Sequence, residues 1–351
     1  MIRFNQPYTG NHSLSRFDPA DLRGKQLGHF TVIWLRHPVP QTNHRTRKML
    51  AVAEMTHLDE LDTFAAKAWR LHLQDIIHAE QLSAVFQPIL DMQQATLIGF
   101  EGLIRGPAGS KLHSPLELFR VARHCGMVAE VEQLACRIVL ESFARLGLPG
   151  RIFLNVSPDV LRHKESKADN TLKFIKRLDL VPDQVVIEIT ENMPTVDYPL
   201  LRETTRHYRS MGFEIAIDDL GEGFSGLRLW SEIRPHYVKI DQHFTHNIHL
   251  DPVKRQFVRS IQEIAAKTGA RVIAEGIESP TELAVIRDLD IAYGQGYFIA
   301  RPAVSPPREV SEDIRRPLIR GRIYWDSHLK HWSWNRPAKT AVESSRTSHV
   351  P

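Results

Sequence analysis

The feature that most constrains the fold is an alternation between residues 84 and 302 of short Val-, Ile- and Phe-rich runs with longer segments of helical period. Such alternation is typical of a parallel sheet whose strands are connected by helices. Eight runs in about 220 residues match a (β/α)8 barrel better than an open doubly wound sheet. The predicted strands are 84–89, 97–104, 151–156, 185–190, 213–218, 237–241, 271–275 and 293–299.

The connection between the first two runs departs from this pattern. Only about seven residues, 90 to 96, separate them, whereas a parallel crossover needs about a dozen. The first strand is therefore expected to run antiparallel to the second. The sequence predicts an α/β fold, a modified (β/α)8 TIM-type barrel with an antiparallel first strand.

The remaining sequence divides into segments around this barrel, which is expected over 83–304. Residues 1–57 mix His, Arg, Pro and Asn without a sustained period and are poorly specified, whereas 58–82 have the period of an amphipathic lead-in helix. The tail, 305–351, is basic, and its last ten or so residues are expected to be disordered. Its aromatic residues are Tyr324, Trp325, Trp332 and Trp334.

Composition limits the classes of partner and compartment. The charge sum of +4, from 45 Lys and Arg against 41 Asp and Glu, is too small to indicate a partner. Cys125 and Cys136 match no zinc or redox spacing, which predicts reduced thiols and a cytoplasmic protein. No run reaches the ~18 apolar residues of a membrane span, so none is expected. The tail could bind nucleic acid or a membrane surface, but no nucleic-acid motif accompanies its charge, and no nucleic-acid partner is expected.

Polar side chains occupy nearly every predicted strand end, where core packing would favour Val or Ile. The carboxyl ends of barrel strands meet at one mouth, which is where TIM-type barrels carry their chemistry. Carboxylates that converge there would repel by about 4 kcal/mol per pair at ~4 Å and an effective dielectric constant of about 20, so bound divalent cations are expected. The residues are Glu101, Arg105, Asn155, Glu188, Glu191, Asp218, Asp219, Lys239, Asp241, Glu275, Glu278 and Gln295.

The donor atoms at these strand ends indicate the kind of metal. All are hard oxygens, and neither Cys nor His occurs among them, which favours Mg²⁺ or Mn²⁺ over Zn²⁺. A hard metal beside Lys and Arg suits hydrolysis of a phosphate ester. The same groups would also suit an enolase-type proton abstraction, so the residue types leave both reactions open.

Eight spaced blocks in one order resemble the EAL-domain family of cyclic di-GMP phosphodiesterases, over about residues 80 to 303. Several blocks in sequence are far more specific than one tripeptide. The family resemblance implies a modified (β/α)8 barrel that hydrolyses cyclic di-GMP to linear pGpG. The blocks are EGL at 101–103 followed by Arg105, LNVSP at 154–158, EITE at 188–191, DDLGEGFSGL at 218–227, VKID at 238–241, AEGIE at 274–278, GQGY at 294–297 and RP at 301–302.

The resemblance implies a role for each matched polar position. The expected ligands of a first Mg²⁺ or Mn²⁺ are Glu101, Asn155, Glu188 and Asp218, and those of a second are Asp218 and Asp219. The expected catalytic residues are Glu101, Lys239, Glu275 and Glu191, and the expected substrate-binding residues are Arg105, Gln87 and Gln295.

More specific tasks follow from the same resemblance. Lys239 would contact the attacking water, and Glu275 would assist with the proton of that water or with metal-bound water. Glu191 would anchor the loop after the fifth strand, and Arg105 would hold a substrate phosphate. Family members also form homodimers through barrel helices near that loop, so a homodimer is expected.

Three positions depart from the family pattern. Gly102 replaces the usual Ala of the signature, with little expected effect, and Leu220 and Gly226 stand where Phe and Ser are commoner. Flexibility at Gly226 could weaken assembly of the metal pair. The sequences of residues 105–109 and 218–231 resemble the branch of the EAL family in which CBS and GGDEF domains follow the barrel. The residues after Pro302 resemble neither domain. The alternative to an enzyme is a non-catalytic cyclic di-GMP receptor, which the complete ligand set disfavours.

Overall fold

A computed structural model describes residues 58–157, 166–190, 197–221, 226–319, 323–326 and 331–334. The chain divides into two units, residues 1–72 and 73–351. The predicted N-terminal segment 1–57 and the end of the tail lie outside the described residues.

Eight strands close into a barrel in sequence order. Strands two to eight are parallel to one another, and the first is antiparallel to both of its neighbours, as the short first connection predicts. The strands are β1 (Ser83–Asp91), β2 (Thr96–Arg105), β3 (Arg151–Asn155), β4 (Val185–Thr190), β5 (Glu214–Leu220), β6 (Tyr237–Ile240), β7 (Arg271–Ala274) and β8 (Tyr293–Gly294).

The turn between β1 and β2 explains why these strands form a hairpin. Asp91 Oδ1 accepts the backbone N–H groups of Gln93 and Gln94 at 2.8 and 2.9 Å, and Ala95 has a left-handed φ of 52°. An Asp side chain that satisfies the following backbone in this way is a common turn device.

The end of the barrel differs from the sequence prediction. The strand expected over 293–299 ends at Gly294, because the chain then turns against the loop after β7, with Phe298 N donating to Ile277 O at 3.0 Å. A Cβ at Gly296 would lie 2.2 Å from backbone atoms of Ile277, so only glycine permits this approach. Phe86 and Ala303 then exchange two backbone hydrogen bonds of 2.8 and 3.1 Å beside β1.

Helices follow most of the strands. The first helix, which precedes the barrel, ends at His78 rather than at the predicted boundary, residue 82. Glu80, just beyond this helix, has a left-handed φ of 50°. None of the described helices is both long and apolar enough to cross a membrane. The helices are α1 (Leu58–His78), α2 (Pro115–His124), α3 (Val128–Leu146), α4 (Ser166–Arg177), α5 (Tyr198–Ser210), α6 (Gly226–Ile233), α7 (Gln242–Thr245), α8 (Pro252–Thr268), α9 (Pro280–Asp288) and α10 (Glu312–Ile319).

The predicted tail contains a two-stranded antiparallel sheet. Its strands are β9 (Ile323–Asp326) and β10 (His331–Trp334), and Trp325 is the partner of Trp332 in the register. The sequence pattern does not predict these two strands.

An apolar layer fills the lower part of the barrel. Inward side chains of successive strands pack together there, with the rings of Phe153 and Tyr237 edge to face at a centroid distance of 5.2 Å. Because strand side chains alternate with period two, the next inward position on each strand lies one layer nearer the mouth. The layer consists of Ile89, Phe153, Val186, Ala216, Tyr237 and Ile273.

Candidate metal and active site

A buried lysine lies at the centre of the polar layer directly above this apolar floor. The ammonium nitrogen of Lys239 lies 2.8 Å from Asp218 Oδ1, 2.8 Å from Glu275 Oε1, 2.9 Å from Glu188 Oε1 and 3.3 Å from Glu101 Oε2. Only 1% of the Lys239 side chain is exposed. One positive charge therefore faces four carboxylates away from bulk water.

Amide side chains fix the orientation of the Glu101 carboxylate. Asn155 Nδ2 donates to Glu101 Oε1 at 3.0 Å, and Gln295 Nε2 donates to Glu101 Oε2 at 2.6 Å. Gln295 Nε2 also donates to Gln87 Oε1 at 3.1 Å, and Gln87 Nε2 donates to the Ala300 carbonyl at 3.2 Å. The β1–β2 register places Gln87 opposite Glu101, so the antiparallel first strand adds a polar residue to the site.

Burial and like charge shift the proton affinities of this cluster. Burial raises the pKa of Glu188 well above its usual range, and Glu101 and Asp218 raise it further against the attraction of Lys239. Burial likewise raises the pKa of Glu275 well above its usual range. Burial opposes charging of Lys239, but its four carboxylate neighbours outweigh that effect and raise its pKa well above normal. The lysine is therefore an ammonium at neutral pH.

The donor atoms fit a pair of divalent cations. Carboxylate oxygens of Glu101, Glu188 and Asp218 lie within 4.8 Å of one another, and those of Asp218, Asp219 and Glu275 form a second such group. Glu188 Oε1 contacts the Lys239 ammonium, whereas Glu188 Oε2 is buried without a hydrogen-bond partner among the described residues. A buried anion with unused lone pairs is costly unless a cation binds it. Hard oxygens alone in both groups are typical of Mg²⁺, Mn²⁺ or Ca²⁺ sites.

Backbone geometry brings the carboxylates of two consecutive aspartates, Asp218 and Asp219, to the same site. Asp218 is the inward residue of β5, whereas Asp219 has a left-handed φ of 55°. That conformation interrupts the regular register between β5 and β6 after Ile217. Consecutive carboxylates can therefore both face the mouth, although strand alternation would send them to opposite faces.

Two of the predicted site residues, Arg105 and Glu191, lie apart from the cluster or outside the described residues. Arg105 is half-buried at the end of β2, where its guanidinium donates to the Ile104 carbonyl at 2.8 Å, and it forms no ion pair within the described ranges. Glu191 lies outside the described residues, as do residues 222–225 of the loop after β5. Leu220 is buried at the end of β5, and Gly226 is buried at the start of α6.

Two buried glutamates near the site lie on helices rather than at strand ends and were not predicted from the sequence. Glu132 of α3 is 4% exposed and accepts from Ser157 Oγ at 2.6 Å and from the Ser157 backbone N–H, just after Asn155. Glu282 of α9 is 2% exposed and accepts three backbone N–H groups. The helical period could have revealed Glu132, because it places this carboxylate on the face of the buried residues Val131 and Ala135.

The signature glycine packs directly against a helix. A Cβ at Gly102 would lie 2.2 Å from Val139 Cγ1 and 3.1 Å from Ile152 Cδ1. The side chain of Val139 on α3 thus occupies the space that the usual Ala methyl would need.

Comparison with known proteins finds relatives in several bacteria. The chain is 29% identical over 235 residues to the Escherichia coli protein named "Probable cyclic di-GMP phosphodiesterase PdeN", covering 64% of this chain and 44% of that protein. It spans less than half the length of the first curated relatives that it matches.

Solved structures of similar fold contain the nucleotide. The Klebsiella pneumoniae BlrP1 manganese and cyclic di-GMP complex matches with a TM-score of 0.61 and 27% identity, over 66% of this chain and 58% of that chain. A standalone EAL protein from Vibrio cholerae with bound cyclic di-GMP matches with a TM-score of 0.60 and 28% identity, over 67% and 97% of the two chains. The EAL domain family model matches residues 70–302, about two thirds of the sequence. The chain therefore belongs to the EAL domain family.

Proposed function

We propose that this protein is a metal-dependent phosphodiesterase that hydrolyses cyclic di-GMP to linear pGpG. The observation that carries the proposal is the buried contact of Lys239 with four carboxylates, beside oxygen donors suited to two divalent cations. Relatives named as cyclic di-GMP phosphodiesterases and neighbours with bound cyclic di-GMP support this substrate.

The proposed metal ligands follow the two oxygen groups of the site. Glu101, Asn155, Glu188 and Asp218 would hold one Mg²⁺ or Mn²⁺, and Asp218 with Asp219 would hold the second. Bound divalent ions polarise a phosphate ester and make an attacking water more acidic. Asn155 and Gln295 keep the Glu101 carboxylate oriented through the hydrogen bonds that they donate to it.

The charged side chains have separate proposed tasks. Lys239, an ammonium held among carboxylates, would donate a hydrogen bond to the attacking water and fix its position. Glu275 has a raised pKa, which favours acceptance of the water proton near neutral pH. Arg105, Gln87 and Gln295 would bind the substrate, with Arg105 on a phosphate, and Glu191 would anchor the loop after β5.

A turnover assay tests the activity. The protein with cyclic di-GMP and Mn²⁺ or Mg²⁺ is expected to yield pGpG, measured by chromatography, and to yield none with chelator. Glu101→Gln and Lys239→Met should lose turnover, because each removes a group from the buried cluster. Glu263→Gln, on an exposed position of α8, is the matched control and should remain active. Tight nucleotide binding without product by the folded wild type would overturn the enzyme and favour the receptor.

The same chain is proposed to form a homodimer through the helices that follow β5 and β6. Leu227, Leu250, Val253 and Phe257 are 54–65% exposed, and Phe257 packs on Phe244 with ring centroids 5.8 Å apart. Val253 and Phe257 lie four residues apart on α8 and share a helix face, and Leu250 lies just before Asp251, the N-cap of that helix. Exposed apolar side chains in such number are typical of protein interfaces.

Sedimentation of charged variants tests the homodimer. Phe257→Lys should convert the dimer to a monomer, because a charge would be buried in the interface. Val181→Lys, at an exposed apolar residue elsewhere, is the matched control and should stay dimeric. A monomeric wild type at micromolar concentration would contradict the proposal.

A cytoplasmic location is proposed from the thiols. Cys125 and Cys136 are not joined by a disulfide bond. Burial raises the pKa of Cys136 to about 12, so that thiol is unreactive at neutral pH. Thiols of this kind are typical of proteins from a reducing compartment.

A further inference from the structure

One buried carboxylate outside the proposed metal site joins two of the loops that form its mouth. Glu282 Oε1 accepts the Asn247 backbone N–H at 2.8 Å. Its Oε2 accepts the backbone N–H groups of Glu278 and Ser279 at 2.9 and 3.0 Å. The residue is 2% exposed, and three backbone donors satisfy the buried charge.

These bonds exceed what the start of α9 requires. Ser279 and Glu282 form a capping box, in which Ser279 Oγ accepts the Glu282 N–H at 3.2 Å and the Glu282 carboxylate accepts the Ser279 N–H. A capping box satisfies the helix end by itself. The bond to Asn247, which has a left-handed φ of 56°, instead crosses 35 residues to the loop after β6, at a point just beyond α7.

One of the two tied loops, the loop after β7, carries Glu275 of the proposed active site. Glu275 directly follows β7, and its backbone N–H donates to the Ile240 carbonyl at the end of β6 at 3.1 Å. The next residue, Gly276, has a φ of 66°, and a Cβ there would lie 2.4 Å from Gln242 Cβ. The loop after β7 is thus packed on the start of α7, and Glu282 fixes it at its far end.

We propose that Glu282 is a positioning residue that holds the Glu275 carboxylate against Lys239 and Asp218 by tying the loop after β7 to the loop after β6. Its catalytic consequence rests on the proposed phosphodiesterase activity, whereas its effect on metal binding does not. An oriented outer residue of this kind typically changes metal affinity or activity by about 10- to 100-fold when it is replaced.

The test compares Glu282→Gln and Glu282→Ala with Asp91→Asn. Asp91 is a matched control, because it is also a buried carboxylate that accepts two backbone N–H groups, but at the opposite end of the barrel. Hydrogen exchange should accelerate at the amides of Asn247, Glu278 and Ser279 in the Glu282 variants, and not in Asp91→Asn. Unchanged exchange at these amides would overturn the tether.

Mn²⁺ titration of the protein alone, read by paramagnetic resonance, measures positioning without turnover. The Glu275 carboxylate belongs to the second oxygen group, with Asp218 and Asp219, so its displacement should weaken metal binding. Glu282→Ala should bind Mn²⁺ about tenfold more weakly per folded molecule, with a smaller loss in Glu282→Gln, whose amide oxygen can still accept on one side. Asp91→Asn should bind as the wild type does. Loss of global stability alone would not change the Mn²⁺ affinity of the folded fraction. An unchanged affinity in Glu282→Ala would therefore show that Glu282 does not position the site.

Kinetics then separate this proposal from the proposed function. If the wild type forms pGpG, Glu282→Ala should lower kcat about tenfold with little change in KM, because Glu282 does not lie among the proposed substrate-binding residues. A wild type that forms no pGpG would contradict the phosphodiesterase, and the exchange and Mn²⁺ results would still decide the role of Glu282.

Discussion

At the scale of single residues, the site concentrates more negative charge than its one lysine can balance. Lys239 contacts the carboxylates of Glu101, Glu188, Asp218 and Glu275, and all are buried or nearly so. Burial is the largest cause that raises the pKa of Glu188 and of Asp218, and the charge of neighbouring carboxylates raises both further against the attraction of Lys239. Metal affinity and proton affinity therefore compete for the same oxygens.

The pH dependence of stability should reveal this competition at Glu188. Its folded pKa lies above the ordinary value of 4.5, so the folded state binds more protons, and stability from this group is lost as the pH rises above that value. Glu188→Gln, which keeps a neutral side chain at every pH, should become progressively more stable than metal-free wild type as the pH rises. Denaturant unfolding at several pH values measures the difference.

Added Mn²⁺ supplies the control for that experiment. Saturating metal should reverse the order, because the wild type gains a ligand that Glu188→Gln lacks. A stability difference that stays constant with pH would contradict the assignment of a raised pKa to Glu188.

The sequence identifies the strand-end residues well, for a physical reason. Period two along a strand puts Val186 and Glu188, or Tyr237 and Lys239, on the same inward face, so a polar residue two positions after a core residue stands out. Glu132 and Glu282 were missed because they reach the mouth from helices, and only the folded chain brings their carboxylates to backbone N–H groups distant in sequence.

At the scale of elements, α3 packs on β2 at Gly102 more closely than an alanine there would allow. Val139 fills the space beside Gly102. A methyl group added there must displace Val139 or Ile152, and overpacking of this kind costs about 1–3 kcal/mol.

A double-mutant cycle should detect this contact. Gly102→Ala should destabilise the protein by clash, and Val139→Ala should destabilise it by leaving a cavity. The double variant should be more stable than the sum of the two single effects predicts, because each change makes room for the other. Chemical denaturation of the four proteins measures the coupling, and strict additivity would show that the two groups do not compete for space.

The elements themselves were predicted to different degrees. The antiparallel orientation of β1 followed from the short connection to β2, because a crossover cannot be made from so few residues. The length of β8 did not follow, because Gly296 lies against the backbone of Ile277, a contact that no local pattern encodes.

At the scale of the whole molecule, metal binding should couple to folding. The unfolded chain does not bring the strands that carry Glu101, Glu188 and Asp218 together, so cations bind the folded state preferentially. Mn²⁺ at about a hundredfold excess over its dissociation constant should stabilise the protein by about 2.7 kcal/mol per site.

Thermal unfolding with Mn²⁺ and with chelator measures that stabilisation. The transition should move to higher temperature with metal, and Glu101→Gln should show a smaller shift. Asp91→Asn, in the hairpin turn at the other end of the barrel, should shift as much as the wild type. Equal shifts in all three proteins would place the metal elsewhere.

The antiparallel closure has a consequence for synthesis on the ribosome. β1 emerges early and can pair with β2 at once, but its other edge pairs with β8 and with Ala303, which are made much later. The hydrogen bond from Gln87 to Ala300, for example, spans 213 residues. At 5–20 residues per second, β1 waits roughly 10 to 40 s for them. During translation β1 is an open edge strand, able to pair with another nascent chain, until the end of the barrel covers it.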